Sequence, residues 1–449
     1  MDRDPSLVGA AHSSDDVATL VRARAVSAVF QPLVDLRSGE VVGFEALARG
    51  PVGHPLESPL ALFDAARQEG LTAELDWVCR AAAFRAFLEA DPPPALTLLV
   101  NVEPESFGSD CPDDLLLVVG RAEATLRVMV EVNDRALQAD AAALLASEER
   151  ARAMGWGIAL DDVGSGRRAI AMIPMVHPDV VKLDLRLLRT ATDADAAAVV
   201  LAVMRHLERT GASLCVESIE NDDDLRWAVA LGAAFGQGRH LGPPGPLPSD
   251  LRAPRRLLPL VAPAGDGTVV ETPWDLVEAV EPRLLDGEHF VELARTVARA
   301  AIEPGSAPLI LAGLGRGGFD DAVAATFPAQ LDPLLSVAFG VDVGEEPAPG
   351  LRGVRFGAQD PLADIQFLVV IGAKGSVALM GRAEADGKVL AVLTQDRVTV
   401  EGIARHLLRR VPRSGGVGVA LPPPAAAVDE EPTTSSDPPA RGRRLFSRH

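Results

Sequence analysis

Short apolar runs alternate with longer Ala-, Leu- and Arg-rich stretches between residues 18 and 248. Each run has the length and the β-branched or Leu-rich composition of a strand, and each longer stretch is typical of a helix. Seven or eight such units within about 230 residues predict a TIM-like (βα)8 barrel, whose functional groups collect at the carboxyl ends of the strands. A doubly wound open sheet would give a similar pattern, so the periodicity leaves both α/β folds open.

An acid, an amide or a lysine stands at the end of almost every apolar run. In chain order these residues are Glu45, Asn101, Glu131, Asp161, Asp162, Lys182, Asp184, Glu217 and Gln237. Any one such acid is more often a helix N-cap or a solvated loop charge than a ligand. A barrel would nevertheless bring all of these side chains to a single rim, and this co-location favours a functional site.

The rim set contains oxygen donors and no His or Cys. Its candidate metal ligands are Glu45, Asn101, Glu131, Asp161, Asp162 and Glu217. Oxygen-only sets suit Mg²⁺ or Mn²⁺ rather than zinc. Adjacent carboxylates after a buried strand are unfavourable unless a cation neutralises them, and Gly164 and Gly166 would let the next loop fold over the pair. We therefore expect two metal ions that share Asp161.

Composition and charge limit the kinds of molecule that this protein is expected to bind. A net charge of −20 argues against a nucleic-acid polymer, because its phosphates would be repelled. No apolar stretch is long enough to span a membrane, and the three cysteines lack metal-binding spacing. We expect a cytoplasmic protein without a membrane span.

A chain of 449 residues predicts two domains with appendages. The expected divisions are a lead-in at 1–17, a barrel at 18–248, a Pro-rich linker at 249–267, a smaller α/β or α+β domain at 268–412, and a disordered tail at 413–449. In the second domain, residues 274–285 have a helical pattern. The run Gly315-Arg316-Gly317-Gly318 is better explained as a turn than as a phosphate loop.

Seven segments in order resemble the EAL phosphodiesterases, which hydrolyse cyclic di-GMP. They are FQPLVDLRSGEVVGFEALAR, LLVNV, VMVEVND, IALDDVGSG, DVVKLD, VESIE and GQGRHLGPP, and the namesake triplet is Glu45-Ala46-Leu47. The resemblance covers residues 18–248 and implies metal-dependent hydrolysis of cyclic di-GMP to linear pGpG. A homodimer and an unknown signalling partner are also expected.

The resemblance further implies a role for each matching residue. Glu45, Asn101, Glu131 and Asp161 would hold one metal ion, and Asp161 with Asp162 the second. Lys182 and Glu217 would be catalytic, positioning and deprotonating the attacking water. Substrate binding would fall to Gln31, Arg49, Asp184 and Gln237. Asp134 and Glu220 would stabilise the loop around the site.

Several positions depart from the family pattern without removing a ligand. Val163 stands where the family has Phe, Asp134 where it has Glu, and Ser218 where it has Gly. The loss of an aromatic anchor could loosen the loop over the site. The alternative function is therefore a catalytically weak or inactive cyclic di-GMP receptor or partner-binding signalling protein.

The C-terminal half resembles the DICT domain, a sensory module. The resemblance lies in an aspartate-proline start, the GAKGSVAL hairpin and the TQDR helix entry, within residues 360–408. It implies that this domain regulates the barrel in response to an unidentified signal. A docking or dimerisation domain is the simpler alternative.

Overall fold

The computed structural model describes residues 14–164, 166–260, 270–302, 307–317, 333–372 and 375–412. The predicted disordered tail, most of the lead-in and part of the linker lie outside the described residues. So do Gly318 and part of the GAKGSVAL hairpin.

Eight strands close into a barrel in chain order. They are β1 (Ser27–Asp35), β2 (Val41–Arg49), β3 (Thr97–Asn101), β4 (Arg127–Val132), β5 (Gly157–Val163), β6 (Val180–Asp184), β7 (Ser213–Glu217) and β8 (Phe235–Gly236). The predicted α/β barrel is confirmed. It differs from eight parallel units because β1 runs antiparallel to both β2 and β8.

Helices surround the strands and connect most of them. They are α1 (Ser14–Arg22), α2 (Pro59–Gln68), α3 (Thr72–Glu89), α4 (Leu116–Thr125), α5 (Arg135–Ala153), α6 (Arg168–Val176), α7 (Leu185–Thr190), α8 (Asp193–Thr210) and α9 (Asp222–Ala230), with short 3-10 turns at Pro104–Ser106 and Asp113–Leu115. Side-chain caps fix several starts: Asn221 accepts hydrogen bonds from the backbone N–H groups of Asp223 and Asp224 at α9.

The segment after the barrel fills the end of the barrel opposite the strand-end acids. Leu258 is fully buried in one cluster with the inward residues Leu99, Met129 and Phe235. Its carbonyl accepts a hydrogen bond of 2.5 Å from the Arg127 guanidinium. A Pro-rich composition predicts a linker here, but the structure shows that this stretch also closes part of the barrel core.

A second, seven-stranded sheet follows, with the order β12-β11-β10-β13-β14-β15-β9. Its elements are β9 (Arg283–Asp286), α10 (Gly287–Ala301), β10 (Leu309–Leu314), β11 (Leu335–Gly340), β12 (Arg352–Arg355), β13 (Ile365–Gly372), β14 (Gly375–Ala383), β15 (Lys388–Thr394) and α11 (Arg397–Leu408), with 3-10 turns at Asp275–Val277, Pro361–Asp364 and Ala385–Gly387. The smaller second domain is thus confirmed.

The helix predicted at residues 274–285 is wrong. Only a 3-10 turn, Asp275–Val277, forms there, and β9 then pairs with β15. Pro282 disfavours a helical conformation at the residue before it. Two residues later, Leu284 pairs with Leu390 at the edge of the sheet.

The barrel and the second sheet belong to one compact unit and share a hydrophobic cluster. Helix α11 packs against α5 and α6 of the barrel. Its Glu401 is buried, forms an ion pair with Arg209 at 3.1 Å, and lies 3.4 Å from the ring nitrogen Nε2 of His177. Arg405, one turn later, pairs with the buried Glu148 of α5 at 2.8 Å. Ion pairs therefore hold α11 in place against the barrel.

Candidate functional site

Lys182 occupies the centre of the barrel mouth. Its ammonium group is fully buried and lies 3.1 Å from Glu45 Oε2, 2.5 Å from Glu131 Oε1, 3.2 Å from Asp161 Oδ1 and 2.9 Å from Glu217 Oε1. These five residues are called the mouth cluster below. They come from β2, β4, β5, β6 and β7, so the closed barrel is what brings them together.

Two amide side chains orient the carboxylates. The Asn101 amide donates to Glu45 Oε1 at 3.3 Å and to Glu131 Oε2 at 3.2 Å. The Gln237 amide donates to Glu45 Oε2 at 2.7 Å and to the side-chain oxygen of Gln31 at 3.1 Å. The structure therefore brings Gln31, Asn101 and Gln237 to the site predicted from the sequence.

Strand register explains most of these positions. Asn101 lies beside Glu131 in the β3–β4 ladder, and parallel neighbours present side chains to the same face. Gln31 faces Glu45 across the antiparallel β1–β2 pair. Glu45 is not at the strand end as expected, because β2 continues to Arg49. The reversed β1 extends this pairing past the level of the acids.

Asp161 and Asp162 sit at an irregularity in the sheet. The β5–β6 register shifts between Leu160 and Val163, and Asp162 has a φ of 57°. Such a bulge changes the directions of successive side chains, which would otherwise alternate between faces. Gly164, with a φ of 146°, has no Cβ to collide with the Asp184 carbonyl, which would lie 2.9 Å away.

The mouth cluster has four carboxyl groups and one ammonium group, so its acids outnumber its base. Burial, followed by the charge of Glu45, raises the pKa of Glu131 well above its usual range. Burial and then the charge of Asp161 raise the pKa of Glu217 in the same direction. Burial opposes the charge of Lys182, but the surrounding carboxylates raise its pKa. Several acids thus compete for one ammonium group.

Asp162 extends this negative region towards the surface. The residue is exposed, yet its carboxyl loses solvation to nearby protein atoms and faces Asp161. These effects, in that order, raise the pKa of Asp162 to about 6. Asp162 therefore remains available at the open side of the site.

The donor set fits a divalent cation. Glu45, Glu131 and Asp161 each offer an oxygen atom within 4.8 Å of the others. Hard oxygen donors of this kind match Mg²⁺ or Mn²⁺ chemistry. Positive charge at this place would also relieve the repulsion among the acids.

Four predicted site residues make their described contacts elsewhere. Arg49 donates to the Ala48 carbonyl at 2.7 Å. Asp184 caps α7 and pairs with Arg186 at 3.0 Å. Glu220 is exposed, and its backbone N–H donates to Asp224. The fourth residue is Asp134, at the N-cap of α5.

Asp134 lies at the start of α5, half-buried. Burial raises its pKa, and the charges of Arg168 and Arg135 act against that rise. Arg168 is the first residue of α6, immediately beyond the loop that follows Asp161 and Asp162. This position is compatible with the predicted loop-stabilising role, which stays a prediction.

Sequence reasoning missed a role for Ser218. Ser218 has a φ of 59°, a conformation in which glycine is strongly preferred, and its side chain hydrogen-bonds Asp184. A non-glycine residue held there costs roughly 1–3 kcal/mol. The available signal was the departure from the family's glycine, and the structure shows why glycine suits the position.

Asp76 was also missed. It is buried in α3, pairs with Arg80 at 2.8 Å, and accepts a hydrogen bond from the Glu103 backbone N–H just beyond Asn101. The signal was an acid on the otherwise apolar face of a helix. Asp76 thereby supports the segment that follows a candidate ligand.

A closed barrel with an acid-rich mouth is the class of structure that these observations define. The EAL domain family model matches residues 14–244, just over half of the chain, and the chain therefore belongs to the EAL-domain family. Members of this family are generally cyclic di-GMP phosphodiesterases that depend on divalent metal ions, although some members are inactive.

Two individual relatives share 30% and 28% sequence identity with this chain. An uncharacterised protein of Sinorhizobium fredii is 30% identical over 233 residues, covering 49% of this chain and 27% of that protein. Cyclic di-GMP phosphodiesterase RocR of Pseudomonas aeruginosa is 28% identical over 228 residues, covering 49% of this chain and 57% of RocR. The chain thus spans between about a quarter and just over half of the length of these relatives.

Among solved structures, the PaMucR phosphodiesterase in complex with c-di-GMP is 25% identical, with a TM-score of 0.45. The match covers 53% of this chain and 98% of that one. Within the part of the chain that the structure describes, no helix is long and apolar enough to cross a membrane.

Proposed function

We propose that this protein hydrolyses cyclic di-GMP to linear pGpG in a reaction that depends on Mg²⁺ or Mn²⁺. The observation that carries the proposal is the mouth cluster, in which several buried carboxylates surround a single ammonium group. Such a site would repel a phosphodiester anion unless cations were bound. It is therefore suited to a phosphate substrate that arrives with, or after, divalent metal.

The ligands of the proposed metal ions are those that the family resemblance implies, and the grouping of Glu45, Glu131 and Asp161 supports them. Glu45, Asn101, Glu131 and Asp161 would hold one ion, and Asp161 with Asp162 the second. When bound, the two ions would supply Lewis-acid activation of water and stabilise charge on the attacking and leaving oxygens.

The chain's own groups would move the proton and hold the substrate. Glu217 forms an ion pair with Lys182 and would take a proton from the attacking water as a general base. Lys182 would orient that water. The predicted substrate-binding residues are Gln31, Arg49, Asp184 and Gln237, and Asp134 and Glu220 would steady the loop.

A regulatory role for the second domain is part of the proposal. Helix α11 rests on α5 and α6, and α6 begins directly after the loop that follows Asp161 and Asp162 of β5. A signal that shifts α11 could therefore reach the site through α6. The DICT-like identity of this domain, a cytoplasmic location, a homodimer and a signalling partner stay predictions.

A second candidate function is a cyclic di-GMP receptor with little or no turnover. Two observations favour it: Ser218 holds a left-handed conformation next to Glu217, and Val163 replaces an aromatic anchor with a smaller buried side chain. Both changes lie beside groups that must be positioned within a fraction of an ångström for catalysis.

The deciding experiment is a turnover assay on the purified full-length protein. Cyclic di-GMP is incubated with Mg²⁺ or Mn²⁺, and pGpG is quantified by chromatography, with EDTA as the metal-free control. Glu45→Ala should abolish turnover, whereas Glu208→Ala, at an exposed position on α8, should not. Binding of cyclic di-GMP without pGpG formation would instead establish the receptor.

A further inference from the structure

A cavity of about 110 Å³ lies outside the barrel wall, behind two of the strands that form the site. Helices α3, α4 and α5 cover it, and strands β4 and β5 form its floor. Its lining is mainly apolar and includes Trp77, Phe84, Val119, Val130, Ala151 and Trp156. Four large aromatic side chains, Phe107 being the fourth, surround one space in a chain with 4% aromatic residues.

The lining of the cavity includes a residue with an unused hydrogen-bond donor. Trp156 is only 7% exposed, and its indole Nε1 is buried without a hydrogen-bond partner among the described residues. A buried donor left unsatisfied destabilises the fold. The Trp156 ring itself is well packed, with its centroid 5.9 Å from that of Phe84. Packing thus holds the ring in place while the N–H group lacks an acceptor.

A positive charge borders the same space. The Arg80 guanidinium lies 3.8 Å from the centroid of the Trp77 ring and pairs with Asp76 at 2.8 Å. Both Arg80 and Trp77 line the cavity. A guanidinium group next to the aromatic walls disfavours a cationic ligand.

We propose that this cavity is a binding site for a small uncharged molecule with one aromatic ring and a hydrogen-bond acceptor, which would satisfy the Trp156 N–H. Size limits the ligand: a cavity of about 150 Å³ holds benzene, so the smaller space admits no more than a single ring. The name helix-layer cavity is used for it below.

A ligand in the helix-layer cavity would alter the position of side chains in the mouth cluster. The effect on turnover rests on the proposed function. Val130 and Val132 line the cavity and flank Glu131, which points the other way along the same strand. Glu148 also lines the cavity and pairs with Arg405 of α11. One ligand would therefore contact walls that lead to the metal ligands and to the second domain.

Nuclear magnetic resonance of the indole N–H groups tests the site directly. The chain has four tryptophans, and Trp156→Phe identifies the Trp156 resonance. The probe is pyridine at pH 8, where it is neutral and offers one acceptor nitrogen. In metal-free full-length protein, pyridine should shift the Trp156 N–H resonance downfield in a saturable manner, with a millimolar dissociation constant. An equal drift of all four indole signals would overturn the proposal.

Filling the cavity provides the matched control. Ala151→Leu adds a side chain to the lining, whereas Ala146→Leu makes the same change at an exposed position of α5. Saturable binding should vanish in the first variant and persist in the second. If Ala151→Leu does not fold, Ser147→Leu, at a half-buried lining position, replaces it. Binding that survives in the filled variant would place pyridine elsewhere and overturn the site.

Turnover assays with and without pyridine separate this inference from the proposed function. Saturable binding together with a change in pGpG formation of twofold or more, absent in Ala151→Leu, supports a regulatory ligand site. Binding in a protein that shows no turnover under any metal condition contradicts the proposed function and leaves the site standing. Turnover that is insensitive to a bound probe overturns the regulatory consequence.

Discussion

Two buried clusters of charged side chains differ in how their charges balance. In the mouth cluster, Lys182 faces the carboxylates of Glu45, Glu131, Asp161 and Glu217. In the second, called the Glu401 cluster, the single carboxylate of Glu401 faces three partners: His177 at 3.4 Å, Arg209 at 3.1 Å and Arg397 at 2.5 Å. Both are built by joining distant parts of the chain.

Their pKa shifts run in opposite directions. Burial raises the pKa of Glu131 and Glu217, and neighbouring acids raise it further. Burial acts in the same way on Glu401, but hydrogen bonds from His177 and Arg397, with the charge of Arg209, lower its pKa to about 2. A buried acid surrounded by hydrogen-bond donors and positive charges stabilises the fold by itself, whereas several acids around one ammonium group require a further cation, and this difference supports the mouth as the candidate functional site.

Removing the proposed general base should have the largest effect. Glu217→Gln keeps the size of the side chain but cannot accept a proton, so the rate of pGpG formation should fall by roughly 10²–10⁴-fold. Circular dichroism and thermal unfolding should show that the fold is retained. Glu208→Gln makes the same change at an exposed position and should leave the rate unchanged. A loss of less than about tenfold would remove Glu217 from the proton-transfer role.

Removing the acid of the Glu401 cluster should instead destabilise the fold. Glu401→Gln weakens the hydrogen bonds to Arg209 and Arg397, whose guanidinium groups are partly exposed, and such a loss costs about 2 kcal/mol. Urea unfolding monitored by circular dichroism measures it. Glu384→Gln, an exposed change in the same domain, should cost almost nothing. Equal stabilities of the two variants would contradict the structural role of the Glu401 cluster.

His206, which is buried near the Glu401 cluster, affects how stability responds to pH. Burial lowers the pKa of His206 to about 4, against a hydrogen bond to the Pro178 carbonyl, and the charges of Arg209, His177 and Arg397 lower it further. The unfolded chain therefore binds a proton from about pH 6.5 downwards, while the folded chain does not until about pH 4.

His206 should accordingly lower stability between pH 6.5 and 4, by about 3 kcal/mol at the acid end, while the raised pKa of Asp162 acts in the opposite direction below about pH 6. His206→Gln should remove the His206 contribution from a stability curve measured by urea unfolding. The loss caused by protonation of Glu401 belongs to a lower window, between its ordinary value of 4.5 and about 2, and should remain. An unchanged slope from pH 6.5 to 4 in the variant would exclude His206 as its source.

The sequence predicted the mouth better than the Glu401 cluster, for a physical reason. At the mouth, each polar residue interrupts or ends an apolar run, so Asn101 and Glu217 are recognisable from their immediate neighbours. Glu401 lies in an amphipathic helix, where an acid normally faces solvent. Its partner Arg209 is 192 residues away, and no local pattern encodes that pairing.

Two features of the fold were out of reach for related reasons. The alternation of apolar residues along β1 gives a strand but not its direction, so the antiparallel pairing of Gln31 with Glu45 was not predicted. The burial of Leu258 depends on the open end of the barrel, which exists only after the strands have closed. Closure, rather than local propensity, determines both.

The smallest expected effect is also the clearest contrast between the two clusters. Glu131→Gln removes one like charge from the mouth cluster and keeps the size of the side chain, but the amide can accept at only one of the two positions where Glu131 faces Asn101 and Lys182. In EDTA, the relief of repulsion among the acids should outweigh the lost acceptor, so the variant should be slightly more stable than the wild type, the opposite sign to Glu401→Gln. Addition of Mn²⁺ should stabilise the wild type through binding to the folded state, and should stabilise the variant much less. Thermal unfolding with EDTA or Mn²⁺ gives all four values. If Glu131→Gln lowers stability in EDTA, the acids of the mouth cluster are balanced without metal, and the distinction between the two clusters fails.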